Sequence, residues 1–184
     1  MMQHTDKEKE LLLTCARETI AAHLETREPR LPAPPERLTK EKCGAFVTLH
    51  KDGRLRGCIG RIIGDKPVWE VVKEVALESA FSDPRFPPLA KSELEHVELE
   101  ISLLSPFFEI KPEEVVPGKH GLLIRCGFNQ GLLLPQVATE YGWDRPTFLA
   151  HLCLKAGLPT DAWMRDDCTL MAFTAEVFSE KDFY

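Results

Sequence analysis

The most restrictive feature of this sequence is the segment HVELEISLL at residues 96–104, in which polar and apolar residues alternate from His96 to Leu103. The apolar residues at positions 97, 99, 101 and 103 would all point to one side of an extended chain. A strand with one buried and one polar face is typical of a sheet that is covered on one side. The segment therefore predicts such a sheet, with the remaining chain supplying partner strands and covering helices.

Local patterns predict both helices and hairpins around this strand. Thr5 and Glu8 have the spacing of a capping box, and the apolar residues that follow predict a helix over about 6–25. The next segment, EPRLPAPPERL, is rich in proline and predicts an extended surface arm over about 29–38. Asp65 is the predicted N-cap of a helix that ends near Ser82.

Two hairpins and a terminal strand complete the predicted elements. AFVTLH and LRGCI, joined by a Lys-Asp-Gly turn, predict one hairpin over 45–59. A second hairpin is predicted over 121–134. Asp144 is the predicted N-cap of a helix that runs to Ala156, and TLMAFTAEVF is predicted to form a single last strand. Strands and helices do not alternate regularly, so the fold class predicted is α+β, a mixed or antiparallel sheet flanked by helices. At 184 residues the chain is expected to be one domain.

Composition narrows the class of function. The net charge of −6 argues against a protein that wraps nucleic acid. No apolar segment approaches the length of a bilayer span and the N-terminus has no apolar leader, so a cytoplasmic protein is expected. No glycine-rich nucleotide loop, radical-SAM cysteine triplet or HExxH motif is present, so no cofactor and no metal are expected.

Six cysteines occur without a CxxC pair or a tight cluster. This spacing argues against a disulfide framework, a zinc site or an iron–sulfur site. Most of these thiols are therefore expected to be small buried apolar groups.

The hexapeptide LRGCIG, residues 55–60, is the first candidate site. Alternation would place Arg56, Cys58 and Gly60 on one face, where a nearby cation lowers the pKa of a thiol. Gly57 and Gly60 would then let a ligand approach the backbone. In the competing interpretation, the glycines relieve packing against a helix and Cys58 is buried and inert.

The loop SDPRFPPL, residues 82–89, is the second candidate site, because its prolines would hold Asp83, Arg85 and Phe86 rigidly. Either Asp83 and Arg85 form an internal salt bridge, or Arg85 offers its guanidinium to a carboxylate or phosphate.

Two further residues are candidates on weaker patterns. His120, between glycines in GKHGLL, is a candidate general base or, alternatively, a turn residue. Gln136 follows a proline at a strand end, where its amide would bind a ligand edge or cap the local backbone.

These motifs resemble those of the AMMECR domain family. The resemblance rests on LRGCIG, SAFSDPRFPPL, LEISLLSP, GKHGLLI and GLLLPQVATEYGWD, in this order along the chain. It implies an α+β fold with a larger and a smaller lobe, and it keeps Glu100 as a ligand-binding candidate because Glu100 lies in the EIS motif. It also implies the A component of the AmmeMemoRadiSam arrangement, with a Memo-like protein and a radical-SAM protein as partners.

Two functions remain open at this point. One is a ligand-binding accessory component that acts with those partners. The other is an enzyme that uses Cys58 as an activated thiol on a small molecule or nucleoside, in line with the RNA modification that has been supposed for the family. The absence of two titratable groups that must meet favours the accessory component.

Overall fold

The computed structural model describes residues 3–183. The chain divides into two compact units: unit 1 takes in the described residues of Met1–Leu104 and Glu176–Tyr184, and unit 2 is Ser105–Ala175. Both units combine helices with an antiparallel sheet, so the α+β fold class predicted from sequence is confirmed.

Unit 1 contains three helices and four strands. They are α1 (Asp6–Leu24), α2 (Glu36–Lys40), β1 (Ala45–Lys51), β2 (Arg54–Arg61), α3 (Val68–Phe81), β3 (Val97–Leu104) and β8 (Ala175–Ser179), with β4–β7 lying in unit 2. The strand order in the sheet is β2-β1-β3-β8. Short 3₁₀ turns cover Lys91–His96 and Glu180–Asp182. β1 pairs antiparallel with both β2 and β3 and is therefore a central strand.

The predicted local signals at α1 and at the first hairpin are confirmed. The Thr5 side chain accepts a hydrogen bond from the Glu8 backbone N–H, and the Glu8 carboxylate accepts one from the Thr5 backbone N–H. At the hairpin turn Asp52 and Gly53 both have positive φ, 52° and 71°. Positive φ at both central residues matches the twist of a tight hairpin.

The alternating residues of β3 pack as their pattern predicts. Leu99, Ile101 and Leu103 are fully buried, opposite Leu49, Val47 and Ala45 of β1. They form one core with apolar residues of α1 and α3. The other face of this sheet carries Thr48, which is buried, and Glu100, which is half-buried.

Unit 2 also combines strands and helices. Its elements are β4 (Phe108–Glu109), β5 (Gly121–Cys126), β6 (Asn129–Leu133), α4 (Pro135–Glu140), α5 (Arg145–Lys155) and β7 (Cys168–Phe173), with 3₁₀ turns at Pro112–Glu114 and Ala162–Met164. The strand order in its sheet is β4-β7-β5-β6. α5 begins at the predicted cap, since the Asp144 side chain accepts from the Thr147 backbone N–H at 2.9 Å. Phe148, Leu149 and Leu152 of α5 are buried in the core of this unit.

Several sequence-based expectations were wrong in detail. The proline-rich arm stops at Pro35, because the last residues assigned to it begin α2. Asp65 does not cap α3, whose N-cap is Pro67 with no side-chain hydrogen bond. TLMAFTAEVF is not one strand, since it forms β7 in unit 2 and β8 in unit 1.

The largest correction concerns the cysteines. Cys126 and Cys168 form a disulfide bond between β5 and β7, across a sequence separation of 42. They are directly opposite each other in the β5–β7 register. Three other cysteines are small buried thiols as expected, since Cys15, Cys43 and Cys153 are free and buried.

Candidate functional site

Three polar side chains lie side by side on the face of the unit 1 sheet opposite to the helices. Thr48 on β1 is opposite Cys58 on β2 and also opposite Glu100 on β3. We call these three residues the polar row. Adjacent strands are about 4.8 Å apart, so the row spans about 10 Å from Cys58 to Glu100. Thr48 is buried, whereas Cys58 and Glu100 are half-buried and border the solvent.

The Cys58 thiol is held in the neutral form. Burial raises the pKa of Cys58, and this effect exceeds the opposing effects of the Thr48 hydrogen bond and the Arg85 charge. The Thr48 hydroxyl donates to Cys58 Sγ at 3.2 Å, which also fixes the side chain across the strand pair. The structure therefore does not support the expectation of a thiol activated by a lowered pKa.

Asp83 and Arg85 hold the exposed edge of β2 at Cys58. The Cys58 backbone N–H donates to Asp83 Oδ2 at 2.9 Å, and Arg85 Nη2 donates to the Cys58 carbonyl oxygen at 3.2 Å. β2 is an edge strand, so these two side chains supply the hydrogen bonds that a further strand would make. We call this pair the Asp83–Arg85 clamp.

The clamp is itself a two-point ion pair. Arg85 Nε donates to Asp83 Oδ1 at 3.0 Å and Nη2 donates to Oδ2 at 2.7 Å. The Arg85 guanidinium holds the pKa of the buried Asp83 carboxyl well below its usual range. The internal salt bridge predicted as one alternative is thus present. The other alternative also stays open, since Arg85 is 54% exposed and its Nη1 makes no hydrogen bond to residues 3–183.

Arg56 is not the partner of the thiol, contrary to the expectation from alternation. The β1–β2 register slips by one residue between Leu49 and His50, which leaves Arg56 without a residue opposite it. Arg56 instead bonds Glu93 through Nε and Nη2, at 3.2 and 2.9 Å, and the Pro87 carbonyl through Nη1 at 3.0 Å. Arg56 and Lys51 together lower the pKa of Glu93 to about 2. The cation whose charge favours ionisation of the Cys58 thiol is Arg85.

Phe86 lies between the two arginines of this region. Its ring centroid is 5.6 Å from Arg85 Cζ and 6.0 Å from Arg56 Cζ. Cations at these distances from a ring face are attracted by its quadrupole. Phe86 therefore helps to position Arg85 beside the polar row.

The two glycines around Cys58 serve packing within the chain. A Cβ on Gly57 would be 2.2 Å from the Ser79 carbonyl oxygen, on α3. A Cβ on Gly60 would be 2.3 Å from the ring of Phe46. The expectation that Gly57 and Gly60 open the backbone to a ligand is therefore wrong, because protein atoms fill both spaces.

His120 and Gln136 lie in unit 2, whereas Cys58 lies in unit 1. His120 Nδ1 accepts a hydrogen bond from the Val116 backbone N–H at 3.1 Å, so the ring proton is on Nε2. Burial lowers the pKa of His120. The Val116 N–H already occupies Nδ1, the nitrogen that would accept a proton. This hydrogen bond favours a turn residue over a general base. Gln136 is exposed on α4, and its amide makes no hydrogen bond to the described residues.

Sequence reasoning missed Thr48 and Ser79. Ser79 Oγ donates to the Val47 carbonyl at 2.7 Å and accepts from the Ile59 N–H at 2.8 Å, and so joins α3 to β1 and β2. Its signal in the sequence is a hydroxyl within the apolar stripe of α3. Thr48 has a weaker signal, as one of the polar residues that alternate along β1.

Residues 3–183 contain no group of three His, Cys, Asp or Glu side chains placed to hold a metal ion. Within the same residues, no helix combines the length and the apolar character needed to cross a bilayer.

Fold and site together define an α+β protein of two units, with a polar row and a charged clamp on the sheet of the first. The chain belongs to the AMMECR1 family, whose model matches residues 13–178. It is 44% identical to Protein MK0488 of Methanopyrus kandleri over 188 residues, which cover 97% of this chain and 91% of that protein. It is 42% identical to Protein MJ0810 of Methanocaldococcus jannaschii, with 90% and 86% of the two chains covered.

A solved structure has the same fold. The crystal structure of the uncharacterized protein PH0010 from Pyrococcus horikoshii is 40% identical in sequence and superposes with a TM-score of 0.81. The match covers 96% of this chain and 93% of that one.

Proposed function

We propose that this protein is a ligand-binding accessory component, and that the polar row beside the Asp83–Arg85 clamp is its binding surface. The observation that carries the proposal is the row itself, in which a thiol, a hydroxyl and a carboxylate are aligned over about 10 Å. Burial keeps the Cys58 thiol neutral, so the row offers hydrogen bonds rather than a nucleophile.

The charges beside the row define the chemistry of the ligand. Arg85 has an uncommitted Nη1 and is half exposed, so it suits an anionic group such as a carboxylate or phosphate. At the other end, the half-buried Glu100 carboxylate suits a group that donates hydrogen bonds. A polar molecule of about the length of a nucleoside monophosphate would reach both ends.

The partners and the compartment are part of the same proposal. The ligand is bound for a Memo-like protein and a radical-SAM protein, which would carry out the chemistry, and the protein acts in the cytoplasm. Membership of the AMMECR1 family supports this assignment, together with the raised pKa of the Cys58 thiol and the hydrogen bond that occupies His120 Nδ1.

The experiment is purification of the protein from its own cells under non-denaturing conditions, followed by native mass spectrometry. We expect a retained small molecule on the wild type, and co-purified proteins of the two named classes. Arg85→Lys should remain folded but lose the small molecule, because lysine cannot reproduce the planar guanidinium. Glu100→Gln should weaken its retention.

The matched control is Glu140→Gln, which removes one exposed carboxylate from α4 in unit 2. This variant should retain the ligand at the wild-type level. Equal retention by all variants would place any ligand elsewhere, and a wild type without a bound molecule or either partner would contradict the proposal.

The thiol-enzyme alternative has one observation in its favour, the hydrogen bond from Thr48 to Cys58 Sγ, which stabilises a thiolate. Measuring the alkylation rate of Cys58 against pH separates the two functions, with Cys58→Ala to subtract the other thiols. We expect a midpoint above the value of about 8.5 for free cysteine. A midpoint well below it would favour the enzyme.

A further inference from the structure

We infer that the Cys126–Cys168 disulfide of unit 2 is a thiol–disulfide exchange site, at which an incoming thiol attacks Cys168. The bond joins β5 to β7 beside a surface groove of about 450 Å³. Cys168 is part of the groove wall, together with Glu109, Lys111 and Glu114. The site lies wholly within unit 2 and does not depend on the polar row.

The two cysteines differ in exposure to the solvent. Cys126 is buried, at 7% exposure, whereas Cys168 is only half-buried and borders the groove. In thiol–disulfide exchange, access decides which sulfur is attacked. Attack from the groove therefore falls on Cys168, and Cys126 is the leaving group.

The sheet keeps the two cysteines together whether or not they are bonded. Cys126–Cys168 is the last pair of the β5–β7 ladder, after five residue pairs from Gly121↔Phe173 to Arg125↔Thr169. These pairs do not need the covalent bond, so the reduced thiols still face each other across the strands. The bond can then open and close again without a change of fold.

The charge of the groove selects the kind of thiol. Glu109 and Glu114 are opposed by Lys111 alone, and the neighbouring Asp167 is paired with Arg165. The groove thus carries a net negative charge. A cationic thiol is attracted to it and an anionic thiol is repelled.

The exchange is balanced with two equivalents of thiol as the reductant. The first thiolate forms an S–S bond to Cys168 while the Cys126–Cys168 bond breaks, and Cys126 leaves as a thiolate that takes a proton from water. A second thiolate attacks the outer sulfur of the mixed disulfide and releases Cys168. The protein disulfide gains two electrons, and the two thiols are oxidised to one disulfide.

The first experiment compares cysteamine, 2-mercaptoethanol and 2-mercaptoethanesulfonate at equal thiolate concentrations and low salt. Samples are quenched with acid and the cysteine peptides are mapped by mass spectrometry. We expect the first adduct on Cys168, and reduction by the cationic thiol about fivefold faster than by the anionic one. The difference should largely disappear at 1 M salt, where the Debye length is about 3 Å.

Substitutions test the assignment of charge. Glu109→Gln should narrow the difference between the two thiols, whereas Glu140→Gln, on the surface of α4, should leave it unchanged. An unchanged difference in Glu109→Gln would overturn the role of the groove.

The second experiment separates the two sulfurs. Cys126→Ser leaves Cys168 as the reactive thiol, and Cys168→Ser leaves Cys126. With cystamine we expect the Cys168 thiol to react about tenfold faster than Cys126, with unchanged far-UV circular dichroism. Equal rates, or reduction of the wild type only in denaturant, would mean that the bond is a structural cross-link and would overturn the inference.

Discussion

Charged side chains bond the backbone of the edge strand β2 in unit 1, whereas a disulfide bond cross-links two strands of the unit 2 sheet. Asp83 and Arg85 bond both backbone groups of Cys58. Cys126 and Cys168 instead link two paired strands directly. Within residues 105–175, all of them described, Arg165–Asp167 is the one ion pair between side chains. We therefore expect pH to change mainly the stability of the unit 1 sheet, and redox conditions mainly that of the unit 2 sheet.

The sharpest test of this comparison is to remove the disulfide. Closing a loop of 42 residues is expected to stabilise a fold by about 4 kcal/mol in the chain-entropy account. The double variant Cys126→Ser, Cys168→Ser should therefore lose about 4 kcal/mol in the free energy of unfolding of unit 2. Hydrogen exchange with mass spectrometry reports each unit separately. Equal loss of protection in unit 1 would contradict the comparison, and added reductant should not affect the variant.

Gly57→Ala should have the next largest effect, confined to unit 1. The new Cβ would be 2.2 Å from the Ser79 carbonyl oxygen, a backbone atom of α3 that cannot turn aside. Overpacking of this kind costs up to about 3 kcal/mol. Urea unfolding measures the loss.

The control for that substitution is Gly142→Ala in unit 2, where no atom lies within 4 Å of the added Cβ and φ is +63°. Its cost should be about 1 kcal/mol, from backbone strain alone. Equal losses in the two variants would show that close approach to α3 is not the reason for Gly57.

Asp83→Asn tests whether unit 1 depends on charge. It should cost about 2 kcal/mol at pH 7, because Arg85 and the Cys58 N–H lose their charged acceptor. The folded state holds the pKa of Asp83 below its unfolded value of about 3.9. Its contribution is thus complete above that value and is lost as the pH falls below it. Unfolding measured at pH 7 and in strong acid should show the stabilities of the variant and the wild type converging in acid. A difference that does not change with pH would contradict the role assigned to the Asp83 charge.

The smallest effect is expected at His120, through which the stability of unit 2 should depend weakly on pH. Burial lowers the pKa of His120 below its usual value of about 6.5, so its contribution is present above that pH and is lost as the pH falls. The slope cannot exceed about 1.4 kcal/mol per pH unit. His120→Asn keeps an acceptor for the Val116 N–H and should remove the slope. Hydrogen exchange of unit 2 at pH 7 and pH 5.5 measures it, and an unchanged slope would exclude His120 as its source.

Much of the fold was predictable because its signals are local. The capping box at Thr5 and Glu8, the Asp52-Gly53 turn and the alternation of β3 are each written within a few neighbouring residues. The site was predictable in part. Cys58, Asp83 and Arg85 do lie together, although the sequence left open whether Asp83 and Arg85 pair with each other.

The partner of Arg56 could not be predicted, because one extra residue in β2 shifts the strand register against the simple alternation. The same limit applies to Thr48, whose position beside both Cys58 and Glu100 depends on the pairing of three strands. The division of TLMAFTAEVF between two sheets has no local signal in the sequence either, because both halves have the pattern of a strand.

Local sequence was thus sufficient to predict the longest helices, the two hairpins, the polar and apolar faces of β3 and the class of fold, since hydrophobic periodicity and backbone preferences act over a few residues. Three contacts are visible only in the folded chain: Arg56 pairs with Glu93, Ser79 fills the space beside Gly57, and Cys126 bonds Cys168. Each of these contacts joins residues more than twenty positions apart. Such pairs are chosen by how helices and strands pack, which no short stretch of sequence specifies.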